Sequence, residues 1–195
     1  MTESIRIQHG LDDAQREKIA QLYYLAFREK LHPIFRDEAK ALQVLARCFN
    51  PDYAIIAVQD NEVVGVAGFK DVNGNLVDIQ PEMMVETFGS FGGWLRILGL
   101  LLFTRQLEDN ILLMDGIVVD ADYRGQGIGS QLLDAVMAHA REKDYQQVRL
   151  DVIDTNPRAR RLYERKGFIA GKTEDVSWLK PIFGFSASTT MYKSL

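Results

Sequence analysis

One stretch limits this chain more than any other. Arg124-Gly125-Gln126-Gly127-Ile128-Gly129 lies between an apolar run at 111–119 and an amphipathic segment running from residue 127 to about 143. Glycines lack the Cβ atom that would keep a bulky ligand away from the main chain. The first N–H groups of a helix have no partner inside it, and the helix dipole adds positive potential there. Strand, glycine turn and helix start together suit an anion, a diphosphate above all. Arg124 adds a guanidinium that stays charged. Two familiar phosphate spacings fail. No Gly-Lys-Ser/Thr ends the loop, and a GxGxxG fingerprint would need glycine where Ser130 stands. Taken alone, the stretch also reads as a glycine-rich turn that binds nothing.

The flanking periodicity supplies the frame. Short apolar or alternating runs at 4–8, 53–58, 63–70, 111–119, 147–153, 168–173 and 188–193 read as strands. Asp12 and Asp13 offer caps for a helix whose apolar face is Ile19, Leu22, Tyr23, Ala26 and Phe27, interrupted at Pro33. A second helix starts near Asp37, carries Leu42, Leu45, Ala46 and Phe49, and ends at Asn50-Pro51. After the glycine loop, Leu132, Leu133, Val136, Met137 and Ala140 form another helical face. Asn156-Pro157 reads as cap and first residue of a further helix, closed by Gly167. The order is β-α-α-β-β, an insertion, then β-α-β-α-β-β. It predicts an α/β (α+β) fold: a mixed, mostly antiparallel central sheet of about seven strands, flanked by helices.

Composition narrows the class. A chain of 195 residues fits one domain, residues 1–195. A net charge of −4 gives no field for nucleic acid. The single cysteine, Cys48, excludes an internal disulfide, reads as a small buried hydrophobe and makes a cytoplasmic location the default. His9, His32 and His139 are scattered with no metal-ligand spacing, so no metal is expected. The start, MTESIRIQHG, lacks a basic region followed by an apolar run, so no signal peptide is expected. The apolar stretch 88–103 falls short of the ~20 residues a membrane span needs, and it carries Arg96. It belongs to an insertion at about 81–106, with a short helix at 81–88 and an apolar face of Trp94, Leu95, Leu98, Leu101 and Leu102. That insertion suits equally a lid over a cleft, a homodimer contact or extra core. Residues 176–185 read as the opposite wall of such a cleft.

Two motifs together resemble the GCN5-related N-acetyltransferase (GNAT) family. Its loop reads Gln/Arg-x-x-Gly-x-Gly/Ala, matched by Arg124, Gly127 and Gly129, after a strand ending Ile117-Val118-Val119-Asp120. Its second motif is matched by Asn156-Pro157-Arg158-Ala159-Arg160-Arg161-Leu162-Tyr163-Glu164-Arg165-Lys166-Gly167-Phe168. The likeness covers residues 111–170. The earlier elements agree in order only, and 81–106 and 175–187 depart from the pattern.

The resemblance implies the acyl-CoA N-acyltransferase (GNAT) fold, acetyl-CoA as donor and an amine acceptor, small molecule or peptide. Main-chain groups of Ile117, Val118 and Val119 would bond the pantetheine arm as an added strand does, and the Val119 N–H would polarise the thioester carbonyl. Amides of Gly125, Gln126, Gly127, Ile128, Gly129 and Ser130 would hold the diphosphate beside Arg124. Asn156 would bond the pantetheine or order the site. Tyr163, two helical turns on and so able to face the same cleft, would protonate the departing thiolate. Asp115, placed on the same side as Ile117 and Val119 by strand alternation, and Asp151 are the candidate bases. Of the basic residues on this helix, some would reach the adenosine 3′-phosphate, although a solvated face is the plainer reading. No cysteine nucleophile is placed by motif, which favours direct attack in a ternary complex over an acyl-enzyme. The alternative is a non-catalytic acyl-CoA-binding module of the same fold.

Overall fold

The computed structural model describes residues 4–102 and 106–195. Its strands are β1 (Arg6–His9), β2 (Ala54–Gln59), β3 (Glu62–Lys70), β4 (Ile111–Val119), β5 (Gln147–Ile153), β6 (Ile169–Asp175) and β7 (Ala187–Ser194). They form one sheet in the order β1-β2-β3-β4-β5-β7-β6. Every neighbouring pair is antiparallel except β4–β5. The helices are α1 (Arg16–Ala26), α2 (Arg28–Phe35), α3 (Glu38–Cys48), α4 (Pro81–Phe88), α5 (Ser90–Leu101), α6 (Ile128–Glu142), α7 (Pro157–Arg165) and α8 (Lys180–Phe183). The expected mixed, mostly antiparallel sheet flanked by helices is what forms.

Strand alternation splits the apolar side chains into two cores. On one face Ile56, Val58, Val66 and Val118 pack against Ile19, Tyr24, Val44 and Leu45 of α1 and α3. On the other, Ile55, Ala57, Ala67, Leu112, Met114, Val148 and Leu150 pack against Ile128, Leu132, Leu133 and Val136 of α6. Cover on both faces explains why β2 and β3 read as almost unbroken apolar runs. Asn156 caps α7 through its side-chain oxygen, which accepts from Ala159 N at 3.1 Å, with Pro157 at the first position. Cys48 is buried, and burial pushes its thiol up to about 12.

Two local expectations change. The chain breaks at Phe27 (φ −107°, ψ 20°) rather than at Pro33, which lies inside α2. There the proline forfeits only a bond to the Glu29 carbonyl in the helix's own first turn. Tyr24 Oη and His32 Nδ1, 3.0 Å apart, tie α1 to α2 across the break. The second change is in the insertion. Of the expected face, Trp94, Leu95, Leu98 and Leu102 point to solvent, with Trp94 60% and Leu98 63% exposed, while Leu101 lies at its margin and borders a cavity. α5 packs through its other side. A Cβ at Gly93 would meet the Met84 carbonyl oxygen at 2.8 Å, so glycine lets α5 lie directly on α4. Arg96 stacks 4.0 Å from the Phe88 ring and donates to the Phe35 carbonyl at 3.2 Å. Phe103 and Arg105 of this insertion lie outside the described residues. Among those described, no helix is long and apolar enough to cross a membrane.

Two stability measurements test this frame. In urea unfolding, Leu132→Ala, fully buried between α6 and the sheet, should lose about 2–5 kcal/mol, whereas Leu98→Ser on the exposed stripe should stay within about 0.5 kcal/mol. His139 stacks 4.6 Å from Phe69 and 5.1 Å from His9. Burial, then the charges of His9 and Lys143, hold its imidazole below the ordinary value. As pH falls, the unfolded chain therefore takes up this proton first. The stabilisation is complete above about 6.5 and is lost as pH falls below it. The urea midpoint should drop between pH 7 and pH 5, and drop less in His139→Gln.

Candidate active site

β4 and β5 are parallel partners only over Ile111–Leu113 and Gln147–Arg149. Beyond that β4 stays on β3 as far as Val119 and β5 stays on β7 as far as Ile153, so a gap opens between them. The register decides which main-chain groups face it. Asp120 N–H donates to Val64 O at 2.9 Å, which makes Gly65–Val119 a non-hydrogen-bonded pair and Val66–Val118 a hydrogen-bonded one. The N–H and C=O of Ile117 and Val119 therefore point into the gap. Those of Val118 are committed to β3, so Val118 lacks the free main-chain groups the resemblance implied. Lys18 of α1 anchors the end of the strand, its ammonium 2.9 Å from Asp120. That bond holds the Asp120 carboxyl below its usual range.

A bulge interrupts β4. Gly68 pairs with Gly116 but Phe69 pairs with Met114, leaving Asp115 as the extra residue. A bulge shifts strand alternation by one. Leu112, Met114, Ile117 and Val119 accordingly face the α6 core. Gly116 faces α1, where a Cβ would meet the Phe27 ring at 2.5 Å. Asp115 sits with Gly116 on that side, close enough to Tyr23 that its charge, after burial, raises the Tyr23 phenol well above its ordinary value. The expected grouping of Asp115 with Ile117 and Val119 is thus overturned.

On the α6 side the gap opens into a cavity of about 420 Å³. Ile117, Val118, Val119, Arg124, Gly125, Gly127, Ile128, Gly129, Ser130 and Asn156 line it, and Gln126 does not. Gly125 (φ +90°) and Gly127 (φ +81°) are left-handed, and a Cβ on either would meet nothing within 4 Å. Their bare faces leave open the space a diphosphate would use. The N–H groups up to Gly129 precede the first helical bond. Ser130 N–H is already given to Gly127 O at 2.9 Å, so what it can add is its hydroxyl. Arg158, Leu162 and Arg165 of α7 line the cavity at helical spacing. Arg160 and Lys166 on the same helix are paired instead, with Glu164 at 2.9 Å and Asp134 at 2.6 Å. The basic helix is therefore part cavity wall and part solvated face. Arg124 Nε donates to the Val119 carbonyl at 3.2 Å, holding the loop to the strand end. Three arginines and no carboxylate line this cavity among the described residues. Its charge and glycine cradle fit the phosphates of a coenzyme-A thioester.

On the opposite side lies a cavity of about 730 Å³. Asp115 and Asp151 both line it, brought together from adjacent strands. Asp151 accepts from Thr190 Oγ1 at 2.6 Å and lies 3.8 Å from Arg149. Tyr23 and Phe27 from α1 and its end, Lys70 and Asp71 from the end of β3, and Ile97, Leu100 and Leu101 from α5 complete the walls. Asp71 is held by Tyr53 and Tyr145 hydroxyls at 3.1 and 2.8 Å. Burial works against its ionisation, but these bonds and two from main-chain N–H groups outweigh it and lower its carboxyl. Residues 176–185 do not form the far wall: Leu179, Phe183 and Phe185 are buried in the α1–α3 core.

Tyr163 is placed differently from the expectation. It is 5% exposed, packed in the α6 core 6.0 Å from the Phe168 ring, and lines neither cavity. Seven residues equal two turns only when both ends are helical, and Asn156 (φ −115°, ψ 64°) is not. The residue in phase with Arg158 and Arg165 is Leu162. Burial raises the Tyr163 phenol, which keeps it protonated at neutral pH. Sequence reasoning named the arginines without separating Arg158 and Arg165, although their spacing with Leu162 marks one face. It missed Tyr23 entirely, because only the bulge brings Asp115 to it.

Comparison with known proteins places this geometry. The stretch 41% identical over 56 residues to a mycothiol acetyltransferase from Propionibacterium freudenreichii covers 29% of this chain and 18% of that protein. A bovine thialysine N-epsilon-acetyltransferase is 48% identical over 58 residues, 30% of this chain and 34% of its own length. The match thus spans about a third or less of these curated relatives. The structure of an N-acetyltransferase from Staphylococcus aureus Mu50 superposes with TM-score 0.70 at 15% identity, over 96% of this chain and all (100%) of that one. A ribosomal-protein-alanine N-acetyltransferase from Brucella melitensis gives 0.64 at 18% identity, over 99% and 100%. At such identities the likeness is one of fold. The model of the acetyltransferase (GNAT) family matches residues 16–168, and the chain belongs to that family.

Proposed function

We propose that this chain, acting as one domain over residues 1–195, is an N-acetyltransferase of the cytoplasm that passes an acetyl group from acetyl-CoA to a primary amine. One observation carries the reading. β4, at the edge of the gap, contributes to two cavities: Ile117 and Val119 line one with three arginines, and Asp115 lines the other with Asp151. A polyanionic donor and a cationic acceptor are drawn to opposite sides, and the gap is where they meet.

The donor's phosphates would lie on Gly125, Gly127, Ile128, Gly129 and the Ser130 hydroxyl, with Arg124, Arg158 and Arg165 adding charge. Its pantetheine arm would run along Ile117 and Val119, past Asn156. The Val119 N–H would donate to the thioester oxygen as charge grows there. Asp115 or Asp151 would take a proton from the ammonium, directly or through a water, freeing the lone pair for attack on the carbonyl carbon. The carbon–sulfur bond then breaks. The nitrogen loses two protons in becoming an amide. One leaves through the carboxylate to solvent, and the other is balanced by the proton the sulfur receives. Tyr163, in the same core cluster as Ile117 and Val119, is the proposed source of that last proton. A binding-only module would use the arginine-lined cavity alone, without need of the paired carboxylates.

The first measurement is calorimetric titration with acetyl-CoA, followed by thiol release with added amines. Binding without turnover on any amine would support the binding module. Arg158→Glu/Arg165→Glu should weaken acetyl-CoA by at least about tenfold, with a shallower salt dependence than the parent. Unchanged affinity would remove the phosphates from that cavity. Tyr163→Phe should lower kcat by about 10–100-fold while acetyl-CoA affinity stays within about twofold. An unaltered kcat, measured at the same temperature as a matched unfolding curve, would remove the phenol from the reaction.

A further inference from the structure

We infer that the acceptor is a primary amine bearing one positive charge on an apolar chain or ring, and that α5 selects for it. The inference rests on the acetyltransferase reading and concerns the larger cavity. At about 730 Å³ it is sized for a small-molecule ligand rather than for a few waters. Its floor is formed by the sheet, where Asp115 and Asp151 lie beside the gap. An ammonium held there is next to the donor side. Everything attached to the ammonium must extend away from the sheet, between α5 and the end of β3.

The surroundings of that path are apolar on one side. Ile97, Leu100 and Leu101 of α5, with Leu107 and Leu31, line it. α5 is fixed in place by Gly93 against α4 and by Arg96 on Phe88 and the Phe35 carbonyl, so its inward face is a wall of the cavity. A second ammonium on the acceptor would have to displace donors already in place. Asp71 already accepts from Tyr53, Tyr145, Asn73 N and Gly74 N. Asp78, the remaining carboxylate of the lining, accepts from Gln80 at 2.8 Å and is exposed to water. Lys70 also lines the cavity and repels a second cation. A hydrocarbon or aryl body instead gains from each apolar group it buries against this wall. The exclusion of a dication and the gain from an apolar tail act in the same direction.

The test compares n-hexylamine with 1,6-diaminohexane, which share the same six-carbon chain and differ only in the second amine. Thiol release at saturating acetyl-CoA gives kcat/KM, and calorimetry gives binding of each amine to the protein. The monoamine should be favoured by at least about tenfold. Leu100→Asp, or Ile97→Asn if the first does not fold, should cut that ratio at least about fivefold by offering the second charge a partner or wetting the wall. Leu98→Ser, on the solvent side of the same helix, should leave the ratio unchanged. Equal or better use of the diamine, a ratio unmoved by both wall variants, or no binding of either amine overturns the inference. Acetyl-CoA titrated into the same samples separates the two readings. If the donor binds and the diamine is preferred, only the acceptor class is wrong. If the donor does not bind, the acetyltransferase reading falls with it.

Discussion

The parting of β4 from β5 is the constraint on which the rest depends. Two parallel strands begin as hydrogen-bonded neighbours at Ile111 and Gln147 and are held apart further on by their other partners, β3 and β7. A buried main-chain N–H or C=O without a partner is costly, so such a gap persists only where ligand or water can satisfy what it exposes. Here it exposes Ile117 and the Val119 N–H, an unfilled strand edge in the middle of a sheet, while Arg124 already donates to the Val119 carbonyl. An extended ligand arm is the natural complement of that edge. The glycine loop lies at the end of the same strand, so edge and anion site come in one line.

The bulge at Asp115 gives the gap its two chemistries. Without the extra residue, Asp115 would share a face with Ile117 and Val119 and place a carboxylate on the phosphate side. With it, Asp115 turns to α1 and joins Asp151. The separation of charge across the sheet therefore rests on a single inserted residue. Gly116 serves the same end: the Phe27 ring occupies the place where a side chain would stand and lines the α1 end of the larger cavity.

The insertion shows how packing can reverse an apparent pattern. α5 is apolar nearly all round, and periodicity alone cannot say which side it buries. The decision is made by a glycine and an arginine. Gly93 allows the approach to α4, and Arg96 is drawn inward to an aromatic face and a carbonyl at a helix end. The larger apolar stripe is left outside, and the smaller one becomes a cavity wall. The larger cavity is thus built in part from the segment least like the family's pattern, while the arginine-lined cavity is built from the most typical part.

Reading along the chain was enough for the elements, their order and the glycine loop. Those depend on local rules: strand and helix periodicity, Asn156-Pro157 as cap and start, glycines at positions of positive φ, and two motifs in fixed order. Even there the limit is physical. A count of seven residues put Tyr163 beside Asn156, but the cap is not helical and the ring turns into the core. Whatever depends on register between distant segments had to wait for the folded molecule. That includes which β4 amides face the gap, where the bulge sends Asp115, which arginines of α7 meet the cavity, and which face of α5 is covered. Periodicity repeats along one chain, whereas a register, a bulge and a helix contact are properties of two.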